Sequence, residues 1–361
     1  MHQMIIHIFI GYYEYHVPAM LKNFCMNLDN DSNHYIIWVN GKEMASRYHR
    51  YLEEVGCSTC RLYMTTHSLS STSGRIRELL AWFQIAWTCR NHTVIAHFNP
   101  NIRHFLIFSL LGIRHAFVFW SSPVKRSRFF KIFSGILCRK TRKLLCLSKS
   151  DLAMAREYYP QISSACINYF TPSGELPPVQ TEKVIPKSIL LGNNATFLNA
   201  YIEILSSFSK YKAPADMMVC CMTAFPGSKE LRDQLKVLIR KMPFNVICQE
   251  QNLLLNDYFR FLQQYEIFVF NCKRQGALAA IYTMLFYGKK VFLSGCNLQT
   301  FQAMNCRVFD VNELFSCNWE DIFTPLSEKE KNNNKKIIME ILNRDQVRAS
   351  WEQLCTELEE S

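Results

Sequence analysis

The chain reads Ser188-Ile189-Leu190-Leu191-Gly192-Asn193-Asn194-Ala195-Thr196 near its middle. The first four residues predict an apolar β-strand, the next five predict a polar turn, and a helical pattern follows. A second junction of this kind starts at Glu266-Ile267-Phe268-Val269-Phe270 and enters a helix after Lys273-Arg274-Gln275-Gly276. Repeated strand–turn–helix junctions favour a parallel α/β sheet.

Both turns are expected at the carboxyl ends of their strands, where α/β sheets bind ligands. The N–H groups that open the next helix attract phosphate there. Lys273 and Arg274 add positive charge, and Gly276 allows a ligand to approach the backbone closely. These features predict a nucleotide-diphosphate site in the C-terminal half, although an ordinary solvated turn explains either junction alone.

The length and the order of the elements predict two domains. A chain of 361 residues is long for one hydrophobic core and fits two of about 170 residues. Strands alternate with helices on both sides of a Pro- and Gly-rich linker. We expect Rossmann-like domains at 1–170 and 187–344, a linker at 171–186, and a last helix at 345–361 that packs across both domains.

The N-terminal half predicts several local features. Strands are expected at 4–10, 34–39, 58–64, 93–98, 117–120 and 144–148. The stretch from Gly74 to Arg90 predicts an amphipathic helix, with Ile76, Leu79, Leu80, Phe83 and Trp87 at helical spacing. In the other half, the stretch from Lys329 to Lys336 is typical of a polar surface loop.

The excess of positive over negative charge lies entirely in the N-terminal half. Residues 1–170 hold 20 Lys and Arg against 9 Asp and Glu, whereas the rest holds 21 against 21. The segment Lys125–Lys149 contains nine of these cations, no acid, and interleaved apolar residues. This pattern is typical of a surface that meets an anionic membrane, and nucleic acid or a solvated helix are the alternatives.

The cysteines and the chain start favour a cytoplasmic protein without a metal. Fifteen cysteines are scattered through a core-rich chain, and Cys57-Ser58-Thr59-Cys60 has no second pair at zinc spacing. The start of the chain lacks a secretory signal pattern, and the apolar run Phe105–Ile113 is too short to span a bilayer.

Four collinear stretches resemble one family. They are His97-Phe98-Asn99-Pro100, then Lys149-Ser150-Asp151-Leu152 with Tyr169-Phe170-Thr171-Pro172, then Leu191-Gly192-Asn193, and finally Asp257-Tyr258 through Glu266 to Arg274-Gln275-Gly276. Together they resemble the bacterial transferases of 4-acetamido-4,6-dideoxygalactose (glycosyltransferase family 56), which act in enterobacterial common antigen synthesis. One turn departs from that family, because Trp120-Ser121-Ser122-Pro123 stands where the family carries Trp-Gly-x-Asp.

The resemblance implies a GT-B fold, in which two Rossmann-like domains face each other across a cleft. It also implies a hexosyltransferase that needs no metal or other cofactor. The donor would be a dTDP- or UDP-sugar and the acceptor a polyprenyl-diphosphate-linked saccharide. Such an enzyme of surface polysaccharide synthesis would lie on the cytoplasmic face of the bacterial inner membrane. A non-catalytic protein that binds nucleotides or nucleic acid is the alternative.

The candidate site residues fall into two sets. For the donor diphosphate they are Gly192, Asn193, Asn194, Thr196, Glu250, Lys273, Arg274, Gln275 and Gly276, where Glu250 would receive the ribose hydroxyls. For acid–base chemistry they are His97, His16 and Glu14, since histidine titrates near neutral pH. A structural role is the alternative for each of them.

Overall fold

The computed structural model describes residues 4–10, 16–28, 33–40, 42–55, 59–65, 72–98, 102–119, 135–136, 138–169, 176, 182–194, 196–224, 228–251, 253, 255–316 and 318–360. Residues 1–171 together with 344–361 form one compact unit, and residues 172–343 form a second. Each unit is built around its own parallel sheet.

The sheet of the first unit has seven strands. They are β1 (Ile5–Ile10), β2 (Asn33–Asn40), β3 (Cys60–Thr65), β4 (Thr93–Ala96), β5 (Arg114–Phe119), β6 (Thr141–Cys146) and β7 (Ser164–Cys166). Their order is β3-β2-β1-β4-β5-β6-β7, and all neighbouring pairs are parallel. The strand order reverses between β1 and β4, so the topological switch point lies there.

Helices cover both faces of this sheet, and each face has its own hydrophobic core. One face is covered by α1 (His16–Leu28), α2 (Lys42–Val55) and α13 (Arg344–Glu360), and the other by α3 (Thr72–Thr88), α4 (Ile102–Leu110) and α5 (Lys149–Tyr158). The apolar central strands are therefore buried on both sides, as in other sheets of this class.

Helix α13 contributes to the first unit although the chain reaches it last. Its Trp351 is buried in the first core, and the indole N–H donates to the backbone oxygen of Asn168 at 2.9 Å. Glu357 pairs with Lys143 of β6 at 2.6 Å. The helix thus closes one face of the first sheet.

The sheet of the second unit has six strands. They are β8 (Ser188–Leu191), β9 (Met218–Met222), β10 (Asn245–Gln249), β11 (Ile267–Phe270), β12 (Lys290–Leu293) and β13 (Phe309–Asp310), in the order β10-β9-β8-β11-β12-β13. All neighbouring pairs are again parallel. This is the doubly wound order, and its switch point lies between β8 and β11.

Two helical layers enclose the second sheet. One layer contains α6 (Tyr201–Lys210), α7 (Lys229–Ile239) and α11 (Trp319–Phe323), and the other contains α8 (Leu255–Gln263), α9 (Leu278–Phe286), α10 (Gly295–Ala303) and α12 (Glu328–Ile341). Short 3₁₀ helices lie at Phe197–Asn199 and Val311–Phe315.

The loop predicted from Lys329 to Lys336 is wrong, because these residues lie inside α12. Ser327 and Glu330 cap the helix reciprocally, each side chain bonding the backbone N–H of the other. Asn334, which looked like a loop residue, is fully buried. The Ser-x-x-Glu capping box is the signal in the sequence that marks this start.

The helix predicted from Gly74 to Arg90 is found as α3, and the row of apolar residues at helical spacing is not its buried face. Trp82, Ile85 and Ala86 enter the core, while the predicted apolar row from Ile76 to Trp87 is exposed. The helix is apolar on both faces, so helical spacing does not indicate which face is buried. No described helix has the length and apolarity to cross a membrane.

Candidate functional site

The two turns singled out in the sequence follow neighbouring strands of the second sheet. β8 pairs with β11, and the backbone N–H of Gly192 donates to the oxygen of Val269 at 2.9 Å. The turns therefore flank the switch point at the carboxyl edge of the sheet. Crevices at this position bind ligands in open α/β sheets.

The first turn requires glycine at position 192. Gly192 has φ +69°, and a Cβ there would overlap the phenol of Tyr201. The Tyr201 hydroxyl oxygen lies 2.9 Å from the carbonyl oxygen of Asn194 and 2.5 Å from that of Met222. Because Tyr201 is buried, this close contact holds the turn against the end of β9.

Asn194 and Thr196 are committed to the shape of the first turn. The side-chain oxygen of Asn194 accepts from the Thr196 hydroxyl and from the amide of Asn199, both at 2.8 Å. Asn199 also donates to the backbone oxygen of Asn194 at 2.6 Å. The predicted residues come together here, but these two support the turn, and the neighbouring Asn193 is partly exposed.

The helices after both turns begin in the same unusual way. The residue before α6 is Ala200, with φ 50°, and the residue before α9 is Ala277, with φ 52°. Neither residue offers a side-chain oxygen to cap its helix. The first N–H groups of a helix lack intrahelical partners, so the N-terminus of a helix carries a partial positive charge. Two such N-termini, those of α6 and α9, lie beside the switch point.

The second turn is held by Asn297, a buried residue of α10. Its side-chain oxygen accepts from the backbone N–H of Gly276 at 3.2 Å. Its amide nitrogen donates to the backbone oxygens of Arg274 at 2.8 Å and Cys272 at 3.3 Å. One side chain thus determines the path of the whole turn. The N–H of Gly276, expected to be available to a ligand, is used internally.

The cations of the second turn project from a tightly packed backbone. The backbone of Lys273 lies against Gly295, where a Cβ would come within 2.8 Å of the Lys273 Cα. The Lys273 oxygen accepts from the Cys296 thiol at 3.2 Å. Lys273 and Arg274 are exposed, and Gln275 is partly buried. The turn therefore combines a fixed main chain with two accessible positive side chains.

Glu250 lies at the same edge of the sheet but further along it. It follows β10, and its carboxylate is 3.9 Å from the Lys236 ammonium, with both side chains exposed. β10 is three strand spacings from β11, which corresponds to about 14 Å. This spacing between the strands is about the length of an extended nucleoside diphosphate.

His97 follows β4 at the switch point of the first sheet, but its ring is buried. The ring stacks on Phe9, with centroids 4.2 Å apart and planes 5° apart. Its Nδ1 is 2.6 Å from the Tyr169 hydroxyl, and its Nε2 is 2.9 Å from His7 Nδ1. His7 Nε2 lies 3.1 Å from the side-chain oxygen of Asn33.

The hydrogen bonds determine the proton positions along this row. Asn33 donates through its amide to the Leu28 oxygen at 3.0 Å, so its own oxygen accepts from His7 Nε2–H. Burial lowers the pKa of His7 to about 4, and that of His97 lies well below its ordinary value for the same reason. With both rings neutral, His97 donates to His7 and accepts from Tyr169.

These bonds leave the predicted base His97 without a free ring nitrogen. The geometry supports a structural role, in which His97 joins β4 to β1 and to Tyr169. Glu14 lies outside the described residues, as do residues 125–134 and Leu137 of the basic segment. His16 begins α1, and its side chain also lies outside the described part.

The described residues contain no cluster of three or more His, Cys, Asp or Glu side chains that could hold a metal ion. The residues that sequence reasoning missed are Asn297, Tyr201 and Asn199. The only local signal for Asn297 is its place in Ser294-Gly295-Cys296-Asn297, a third strand–turn–helix junction after β12.

Solved structures with the same fold cover nearly the whole chain. A glycosyltransferase from Rickettsia africae ESF-5 superposes with TM-score 0.69 at 13% identity, covering 99% of this chain and 98% of that one. HepE from Anabaena, solved in complex with UDP-glucose, gives TM-score 0.69 at 9% identity, with 99% and 100% coverage.

A further structural neighbour is an epimerase rather than a transferase. A UDP-GlcNAc 2-epimerase from Neisseria meningitidis, bound to UDP-GlcNAc, gives TM-score 0.56 at 11% identity and covers 99% of both chains. No family model matches the chain, and no curated protein matches its sequence. The likeness confirms the predicted fold class, since both parallel α/β sheets correspond to those of GT-B proteins.

Proposed function

We propose that this protein is a glycosyltransferase that takes its sugar from a nucleoside-diphosphate donor. The observation that carries the proposal is the pair of turns at the switch point of the second sheet. One turn presents Lys273 and Arg274 on a backbone held by Asn297, and the other follows the neighbouring strand, with Gly192 bonded to Val269 of β11. Full-length likeness to a glycosyltransferase and to a UDP-glucose complex supports the same conclusion.

In this proposal the second unit binds the donor. The diphosphate lies between the two turns, where the N-terminal ends of α6 and α9 and the two cations oppose its negative charge. The nucleoside extends along the carboxyl edge toward Glu250, whose carboxylate accepts the ribose hydroxyls. Asn193, Gln275 and the backbone near Gly276 complete the donor contacts.

Transfer breaks the bond between the sugar and the diphosphate, so negative charge develops on the leaving phosphate. Positive groups already in place stabilise that charge more than they stabilise the intact donor, which lowers the barrier. This requires no metal. The acceptor hydroxyl must lose its proton, and Glu14 and His16, which adjoin the end of β1 in sequence, are the proposed bases. His97 supports that edge of the sheet.

The finer proposal follows the resemblance of the four collinear motifs. The donor sugar would be 4-acetamido-4,6-dideoxygalactose or a related amino-dideoxyhexose on dTDP or UDP. The acceptor would be a polyprenyl-diphosphate-linked saccharide at the cytoplasmic face of a bacterial inner membrane. The acceptor is the first property to test, because the family's acidic turn is replaced here by Trp120-Ser121-Ser122-Pro123.

The donor test is thermal stabilisation by dTDP, UDP, GDP and CMP, followed by the corresponding sugars. A ligand at a hundred times its Kd stabilises the protein by about 2.7 kcal/mol, which a melting curve resolves. We expect dTDP or UDP to stabilise the parent protein, and Arg274→Ala to lose most of that effect. If no nucleoside diphosphate stabilises the protein, the proposal is wrong.

A binding protein without catalysis is the competing proposal, favoured by the positive charge of residues 1–170. It predicts oligonucleotide binding that weakens steeply as salt increases. Transfer of radiolabelled sugar to a bacterial lipid extract separates the two. Transfer supports the enzyme, whereas donor consumption that yields only an isomeric nucleotide sugar supports an epimerase.

A further inference from the structure

Helix α3 carries a row of large apolar side chains on its outer surface. Ile76, Leu79, Leu80, Phe83 and Trp87 are between 40% and 62% exposed. At 100° per residue these five positions share one arc of about 100°. We call this row the α3 stripe. It lies away from the buried face of the same helix, which packs Trp82 and Ile85 into the core.

The neighbouring helix exposes apolar side chains as well. α4 lies next to α3, because Arg103 pairs with Glu78 at 2.9 Å and His104 contacts the Trp82 ring at 4.6 Å between centroids. Leu106 and Leu110 of α4 are both exposed. Exposed apolar surface of this extent on a soluble fold usually marks an interaction site.

The stretch of chain that contains these helices has a net positive charge. Residues 72–119 contain five arginines, no lysine or aspartate, and Glu78 as the single acid. Glu78 is already paired with Arg103. The Arg90 guanidinium lies 4.4 Å over the ring of Trp87, at the end of the stripe. This surface therefore combines an apolar row with cations along it.

We propose that the α3 stripe inserts into the interfacial region of an anionic lipid bilayer. A single convex helix row fits the headgroup–acyl boundary, with Leu, Ile and Phe toward the acyl chains and Trp at their polar edge. Arg77 and Arg90 reach the headgroup phosphates while their stems stay against apolar surface.

Two other occupants fit less well. A second copy in a two-fold dimer would place the arginine-rich rims of both copies against each other. An oligonucleotide would meet the arginines but leave the apolar row in water. Charge complementarity together with apolar burial favours the anionic bilayer.

This surface differs from the basic segment 125–149, and it extends the proposed function. It rests on the proposed function in one respect: an enzyme with a lipid-linked acceptor must reach the membrane that holds this acceptor. Vesicle binding is measured without donor or acceptor, so either proposal can fail alone.

The test compares two double variants by co-sedimentation with vesicles. Leu80→Gln with Trp87→Gln removes two exposed members of the stripe, so the fold should be retained, which circular dichroism checks. The matched control, Val237→Gln with Met339→Gln, changes two equally exposed apolar residues of the second unit. The probes are vesicles of phosphatidylcholine alone and of phosphatidylcholine with phosphatidylglycerol in equal amounts.

We expect the parent and the control pair to bind the mixed vesicles, more weakly at high salt, and to bind pure phosphatidylcholine less. The stripe pair should lose at least about tenfold in partitioning. The proposal is overturned if the Leu80→Gln, Trp87→Gln variant binds the mixed vesicles like the parent, or if the parent does not bind them. It is also overturned if the stripe variants abolish only a self-association of the parent seen by ultracentrifugation.

Discussion

The side-chain oxygen of Asn297 accepts a hydrogen bond from the backbone N–H of Gly276, 21 residues earlier in the chain, at 3.2 Å. The amide of the same side chain donates to the carbonyl oxygens of Arg274 and Cys272. A residue that is itself buried therefore determines where the exposed cations of the turn lie. The position of positive charge at the candidate donor site depends on the start of α10.

Replacing Asn297 by Ala should impair both stability and donor binding. Three backbone groups lose their partner, and we expect a loss of about 2–4 kcal/mol in the free energy of unfolding. Asn297→Asp keeps the acceptor for Gly276 but turns a carboxylate oxygen toward two carbonyl oxygens in a buried site, so it should weaken binding of the nucleoside diphosphate and destabilise the unit at least as much as Asn297→Ala.

The matched control for this prediction is Asn334→Ala. Asn334 is equally buried. Its side chain accepts from the backbone N–H of Arg307 and donates to the backbone oxygen of the same residue, which precedes the edge strand β13. Calorimetry with dTDP and UDP should show near-parental affinity in this variant. Equal affinity losses in both variants would show that Asn297 acts only through general stability.

Arg274→Ala should lower turnover by about ten- to a thousandfold, because it removes charge that opposes the leaving diphosphate. Arg274→Lys should restore part of the activity, since it keeps the charge without the bidentate fork. Arg260→Ala, at an exposed arginine of α8, serves as the control. Parental kcat/KM in folded Arg274→Ala would contradict the assignment.

Gly192→Ala should destabilise the second unit by about 2–4 kcal/mol in urea unfolding, since a left-handed backbone and the clash with Tyr201 add together. Gly112→Ala isolates the backbone cost. Gly112 has φ +67°, with no atom within 4 Å of an added Cβ. That variant should lose only about 1 kcal/mol. Similar losses at both positions would show that the Tyr201 contact is unimportant.

Acid should unfold the first unit before the second. Burial lowers the pKa of His7 and His115 to about 4 and of His104 to about 3, and it lowers the pKa of His97 well below 6.5. The unfolded chain therefore binds more protons than the native one below pH 6.5, so stability is full above this pH and falls as the pH decreases toward 4.

Within that window each of these buried imidazoles lowers the free energy of unfolding as the pH decreases, because the unfolded chain binds a proton that the native chain does not. Residues 172–343 contain no histidine, so the second unit is an internal control. Hydrogen exchange at pH 6.5 and at about pH 5 should show protection lost first around β1 and β4. Simultaneous loss of protection in both units would indicate instead that protonation of carboxylates causes the acid unfolding.

Most strands were predictable because parallel sheets bury them as short apolar runs between polar turns. The strand predicted at Ser188–Leu191 matches the structure, and the helix predicted at 345–361 is found as α13, Arg344–Glu360. The strand from Thr93 stops at Ala96, before His97, because pairing ends there. Short β7 and β13 lie at sheet edges and carry too few residues for a periodic signal.

The site was predictable only where its residues are local in sequence. Gly192 and Arg274 follow strands whose ends the sequence marks, but the order of β8 and β11 in the sheet depends on packing across the whole unit. Asn297 was missed because its partners lie more than twenty residues away. The exposure of the α3 stripe was not predictable, since helical spacing reports amphipathicity but not which apolar face meets the sheet.

The return of α13 to the first unit has a consequence for synthesis of the chain. Trp351 stacks at 5.5 Å on His97 and packs edge-on against Phe24 at 4.8 Å, so the first core lacks its last wall until residues 344–360 leave the ribosome. The second unit is continuous in sequence and can fold as soon as it emerges. A released chain that ends before Arg344 should therefore hold a protease-resistant second half and an N-terminal half that chaperones still recognise.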